Sequence, residues 1–145
     1  MDRENVGNTL ARRVARLCRA LHDAGCYFSI ENPRSSWLWK FSPIARLSNI
    51  SLDVHFDQCE YQLTPPHLSS HLNIHIKKPT TLRSNLSILQ SLSRKCSGLH
   101  KHFHCRGSVK TDAGWVSVSK AAGAYPDSLC EQWASLVASA AAAAS

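Results

Sequence analysis

The sequence predicts an incomplete α/β sheet domain, ordered helix, strand, helix, strand and closing C-terminal helix. Three observations predict it. An amphipathic helical stripe ends on Gly25, a short apolar strand follows at once, and residues 51–57 alternate apolar and polar with period two. The 145 residues suit one domain over 1–137, with an Ala-rich tail over 138–145.

Leu10, Val14, Leu17, Cys18 and Leu21 fall at i, i+4, i+7, i+8 and i+11, which is one face of a helix spanning about residues 9–23. Arg12, Arg13, Arg16 and Arg19 occupy its other faces, Asn8 is a candidate N-cap, and Gly25 suits the left-handed residue that ends it. Tyr27, Phe28 and Ile30 then read as a buried strand that ends on Glu31 and Asn32 and is stopped by Pro33. Helix, glycine turn and strand make half of a βαβ unit.

Ser35 or Ser36 caps a short turn bearing Trp37 and Leu38, and Ile44, Leu47 and Ile50 mark a short helix after Pro43. Residues 51–57 form a half-buried or edge strand. Residues 62–77, rich in Pro, Ser and His, read as a loop. Thr80 to Arg83 read as a brief strand, and Leu86, Leu89 and Leu92 as a helix ending near Lys95. The pattern is weak over 97–124. Pro126 then opens a closing helix whose apolar face is Leu129, Trp133, Leu136 and Val137. The four tryptophans read as core and cap material rather than base-stacking platforms, because they are not interleaved with basic residues.

Hydrophobic residues make up 43% of the chain and charged residues 19%, the profile of a globular domain. The net charge of +7 favours a polyanionic partner, although no Arg/Lys-rich tract concentrates it. No segment is long and apolar enough for a membrane span, and the N-terminal residues have no apolar signal core. The six cysteines therefore read as reduced thiols of an intracellular protein, the nucleus included, that is not secreted.

Three constellations carry possible chemistry. Glu31, at a strand end, is placed to bond an exocyclic amine or a ring nitrogen, with Asn32 orienting it or touching substrate. The competing reading is that Glu31 only caps the next turn through the Ser35 or Ser36 amides. Cys96, His100, His102, His104 and Cys105 include good zinc ligands, but C-x3-H-x-H-x-H-C matches no standard finger. Cys59 is a conceivable distant ligand to which no sequence signal points. The spacing thus favours a solvated His/Cys loop over 96–107, with no metal ligand assigned. Lys77, Lys78, Pro79 and Thr80, with Arg83, either neutralise phosphates or form a solvated loop. A Walker loop, a G-x-S-x-G elbow and a G-x-G-x-x-G fingerprint are all absent.

In order, Asn8, Tyr27 to Pro33, Ser36, Leu38 and Trp39, then Asp57, Cys59 and Tyr61, then Lys77 to Thr80, resemble successive motif blocks of one family. Cys96, His100, His102 and Gly107, and finally Tyr125, Pro126, Leu129 and Cys130, continue the match. This order resembles the C-terminal half of the methyltransferase-like domains of retroelement and mobile-element polyproteins. The Glu-Asn-Pro block is similar to the Glu-Asn-Val motif of cytosine-5 DNA methyltransferases. The resemblance implies a partial Rossmann-like methyltransferase sheet, Glu31 as the catalytic base-recognition residue, Asn32, Pro33, Lys78 and Thr80 at the substrate, DNA as partner and S-adenosylmethionine as cofactor.

In that family the cofactor strand and nucleophile loop precede the first helix. The chain thus reads as a fragment, inactive alone. Gln62 replaces the family's Gly after Tyr61, residues 62–76 resemble an insertion, and Ala122 stands where an acidic residue is expected. The rival reading is a small basic nucleic-acid- or zinc-binding module using the Cys96–Cys105 loop.

Overall fold

The computed structural model describes residues 2–65, 72–112 and 114–143. It is a mixed α/β chain with one three-stranded and two two-stranded sheets among those residues. Two compact units are formed, one from residues 1–54 and 81–91, the other from 55–80 and 92–145.

The first unit opens with helix α1, Arg3–Asp23. Asp2, not Asn8, is its N-cap, its carboxylate accepting from the Glu4 amide, so the helix starts two turns before the apolar stripe. At the other end Cys26 N donates to Leu21 O and Gly25 N to His22 O, at 2.8 and 2.9 Å. This C-terminal cap needs a left-handed residue, and Gly25 supplies it at φ 73°.

The buried face of α1 differs from the expected stripe. Ala15 and Cys18 are buried, with Ala11 and Leu21 partly so, whereas Leu10, Val14 and Leu17 are 54%, 40% and 60% exposed. Short side chains at 11, 15 and 18 let the following segment approach closely, so Ile44 and Leu47 become fully buried against them. That segment comprises a 3-10 turn Trp37–Lys40, helix α2 Ser42–Ala45 and a 3-10 turn Arg46–Asn49. Ser36 caps the first turn, its hydroxyl accepting from Leu38 N at 3.2 Å.

Strand β1, Ser29–Pro33, β2, Leu52–Asp57, and β4, Pro79–Ser84, form the sheet in the order β1–β4–β2. As an edge strand β1 is only half-buried, not the buried strand its composition predicts; Phe28 just before it is the buried residue. Arg83 is buried, donates from two nitrogens to Asp53 at 2.7 Å each, and donates to Ile44 O at 2.8 Å. The predicted helix at 86–95 is a 3-10 segment, Ser87–Leu92.

The second unit contains the strands that weak patterning concealed. The expected loop 62–77 holds β3, Ile74–Ile76, while its residues 66–71 lie outside the described residues. Strand β3 pairs in parallel with β5, Lys101–Phe103, placing Ile74 opposite Lys101 and His75 opposite His102. Strands β6, Ser108–Thr111, and β7, Gly114–Ser117, form an antiparallel hairpin that runs into helix α3, Val118–Ala121. Leu63, Ile76, Val118 and Ala122 form the core beneath them. Helix α4, Asp127–Ala143, follows Pro126, buries Leu129 and includes residues 138–143 of the Ala-rich tail. Two tryptophans depart from the core reading: Trp37 and Trp115 are 79% and 75% exposed. All six cysteines are free; Cys18 and Cys59 are buried and Cys26 is exposed. No helix of the described residues is long and apolar enough to cross a membrane.

Candidate metal centre

Strand β2 delivers the chain into a 3-10 turn, Gln58–Tyr61, that carries Cys59. Gln58 anchors this turn: its backbone N donates to Lys78 O at 3.2 Å and its buried Nε2 donates to Thr80 Oγ1 at 3.0 Å. Tyr61 anchors the other end, donating to Leu92 O at 2.6 Å. The turn closes at Gln62, whose φ is 63°.

The acidic residues beside Cys59 then grip the segment that carries Cys96. Asp57 N donates to Arg94 O at 2.8 Å, and the Asp57 carboxylate accepts from Cys96 N at 2.9 Å. Glu60 Oε1 accepts from both the amide and the hydroxyl of Ser97, at 2.7 and 2.9 Å. These bonds fasten residues 94–97 to residues 57–60, which brings two thiols 37 positions apart into one place.

The β3–β5 pairing supplies the imidazoles. Lys101 N donates to Asn73 O and Asn73 Nδ2 to Leu99 O, each at 3.2 Å. Two residues apart on extended chain, His100 and His102 project to the same side. Their rings meet edge to face at 4.8 Å, and His75 packs edge-on to His100 at 5.0 Å.

Cys59, Cys96, His100 and His102 thus gather donor atoms that all lie within 4.8 Å of one another. Cys96 Sγ is 3.7 Å from His100 Nε2 and 3.4 Å from His102 Nε2, and the two Nε2 atoms are 3.0 Å apart. A tetrahedral zinc with sulfur at about 2.3 Å and nitrogen at about 2.0–2.1 Å sets S–N separations of about 3.6 Å and N–N separations of about 3.3 Å. The three spacings among Cys96, His100 and His102 fit that tetrahedron to within a few tenths of an ångström, and Cys59 Sγ lies within 4.8 Å of each of those donors. His100 Nδ1 points back toward Glu60 Oε1 at 3.9 Å, an ion-pair distance longer than a hydrogen bond. A carboxylate behind a ligating imidazole is a recurring way of orienting the ring and raising its basicity.

Burial pushes the Cys59 thiol up to about 12, reinforced by the neighbouring Cys96. Burial, with the His100 charge next, pushes His102 below the usual imidazole range, leaving it in the neutral form that ligates. A divalent cation here has to displace thiol protons and finds the imidazole already free.

The expected solvated loop at 96–107 is therefore divided by the fold. Cys96, His100 and His102 converge with Cys59, whereas His104 is exposed and Cys105 packs against the Leu63 and Ile76 core. Cys59 lies 37 positions before Cys96, too far in sequence for ligand spacing to reveal it.

The other sequence-derived residues do not form one group. Glu31 and Asn32 are half-buried on β1 in the first unit. Pro33 there is exposed, its carbonyl accepting from Ser36 N and Trp39 Nε1, each at 2.9 Å. Lys78 and Thr80 belong to the second unit, where both serve internal bonding. Lys78 Nζ donates to Ala122 O at 3.0 Å and faces the Tyr125 ring at 5.4 Å. Thr80 is fully buried; its hydroxyl donates to Lys78 O while accepting from Gln58. No family model, curated protein or solved structure matches this chain.

Proposed function

We propose that this chain is a zinc-ordered α/β domain in which Cys59, Cys96, His100 and His102 hold one structural Zn2+. The observation that carries the reading is the convergence of two sulfur and two nitrogen donors from three separate segments within 4.8 Å, with Cys96, His100 and His102 at tetrahedral spacing. Thiolate and imidazole select zinc over magnesium or calcium, which take oxygen ligands. Four protein ligands close the coordination shell, and a closed shell is the structural rather than the catalytic form. The ion would tie the turn after β2 to the 94–97 segment and to β5, cross-linking the second unit where its strands are shortest.

The motif order alone supports the alternative, a Rossmann-like methyltransferase half acting on DNA with S-adenosylmethionine and Glu31. Interatomic distances support the zinc reading, which therefore leads.

Elemental analysis of protein purified without added metal tests it. One zinc per chain is expected, lost in Cys59→Ser and in Cys96→Ser and retained in Cys105→Ser. Tetrahedral cobalt absorption should follow the same pattern. A chain with less than a tenth of an equivalent of zinc, or with Cys59 and Cys96 joined in a disulfide, would overturn the reading.

A further inference from the structure

One wall of the first unit is built from positive charge without its counterpart. Arg12, Arg16 and Arg19 recur on α1 at i, i+4 and i+7, so they rise along one face in steps of about 6 and about 4.5 Å. The segment 42–46 packs against that face and brings Arg46 to it, and the four guanidinium groups line an open groove of about 250 Å3. None of the four is ion-paired among the described residues: Arg46 donates to Ser42 Oγ, and Arg12 lies over the Phe41 ring at 5.7 Å. The sequence explains why. Between Glu4 and Asp23, and again between Glu31 and Asp53, there is no Asp or Glu at all, so neither wall offers a carboxylate. Like charges held at this spacing repel and destabilise the helix unless an anion joins them.

A second cleft of about 540 Å3, walled by Ala11, Trp37, Leu38 and Phe41, lies against the same helix, and Arg12 of the groove sits 5.7 Å from the ring centroid of its Phe41 wall. Trp37 is 79% exposed, with Lys40 Nζ 4.6 Å from its ring centroid. A large indole left in water on the unit that carries a row of guanidiniums without an ion pair adds to them the second element that a single-stranded nucleic acid needs: cations for phosphates and a flat ring for a base. Trp37 and Trp39, which look separate from the basic residues along the chain, meet Lys40 and Arg83 in the fold.

We propose that the groove between α1 and residues 37–46 binds single-stranded nucleic acid, with Arg12, Arg16, Arg19 and Arg46 on successive phosphates and Trp37 stacked on a base. The cleft walls beside Trp37 take up the base; duplex DNA, whose bases are already stacked, cannot use them. The proposal does not depend on zinc, since none of these residues belongs to the second unit.

Fluorescence anisotropy of a labelled oligothymidylate of about 12 nucleotides, titrated with the full chain across a salt series, tests it. Each phosphate contact contributes about −0.7 to the slope of log K against log salt for a single strand, so Arg16→Ala with Arg19→Ala should flatten the slope by about 1.4. Arg13→Ala, on the same helix but outside the groove, should leave it unchanged. Trp37→Ala should weaken binding about tenfold with no change of slope, since one stacked base is worth about 1–3 kcal/mol. Every substituted side chain is exposed, and unchanged circular dichroism and zinc content confirm that the variants fold. Absence of salt-dependent binding, or an unchanged slope in the double arginine variant, would overturn the groove. A duplex of equal length bound as tightly, with Trp37→Ala inert, would overturn the single-strand assignment.

Discussion

In the first unit Ile44 and Leu47 are fully buried against the short side chains of α1, and the buried charge of Arg83 is met by Asp53 through two nitrogens. The second unit buries Phe56, Tyr61, Leu63, Ile76, Leu92, Val118 and Leu129, and it seats Asp57, Gln58, His75 and Thr80 in its interior with Cys59. Its strands β3 and β5 are three residues long. Burial of a large side chain is worth about 1.5–3 kcal/mol and needs no exact partner, so apolar packing supports both units. Hydrogen bonds yield only about 0.5–1.5 kcal/mol net each, so the second unit gains far more from a cross-link that ties its short strands together. Among the described residues, the one cluster that could hold a metal ion lies in the second unit.

Chelation should break that contrast most. Removal of zinc, whose binding to small structural sites is worth about 10 kcal/mol or more, is expected to open the amides of Ile76, Cys96 and Lys101 to hydrogen exchange. The amides of Ile44 and Ala45 should stay protected. Equal loss in both units would show that the first depends on the metal too. Leu47→Ala makes the converse cut: a loss of about 2–5 kcal/mol in urea unfolding is expected, with zinc content unchanged. Asp53→Asn leaves the Arg83 guanidinium buried without its anion. Because the Asp53 side chain is 32% exposed, the loss is expected at about 1–3 kcal/mol, read as a lower urea midpoint.

The smallest effect concerns Cys18, whose thiol burial holds above its ordinary value of 9.0. The unfolded chain releases this proton near pH 9 while the folded chain keeps it. Stability is therefore complete below that pH and declines as pH rises from there toward the raised folded value. Cys18→Ala should flatten this alkaline limb, and Cys18 should alkylate well after the exposed Cys26 and Cys130. Alkylation of Cys18 at the same rate as Cys26 would show that the α1 packing is looser than described.

Local signals in the chain located many of the elements. Gly25 at the end of α1, the alternation of β2, the caps at Ser36 and Pro126 and the break at Pro33 each report a conformation that a few neighbouring residues decide. The stripe of Leu10, Val14 and Leu17 misled because periodicity reports which residues share a face, not which face finds a partner. Strands β3 and β5 were missed because three residues are too few to show alternation, and because each is satisfied by a partner 27 positions away. The 86–95 helix was recognised as helical but not as 3-10, since Leu at 86, 89 and 92 serves a three-residue turn as well as an α-helix.

Sequence by itself determined the α/β character, the glycine end of α1, the half-buried β2 and the presence of ligand-type side chains at 96, 100 and 102. Tertiary structure decided the rest. It chose Ala15 and Cys18 as the buried face of α1, joined Cys59 to Cys96 through Asp57 and Glu60, and brought Arg46 and Trp37 to the arginines of α1. Backbone conformation answers to neighbours a few residues away, and those are written consecutively. A metal cluster or a charged groove answers to separations of tens of residues, and the packing that closes those separations has no period for a sequence to display.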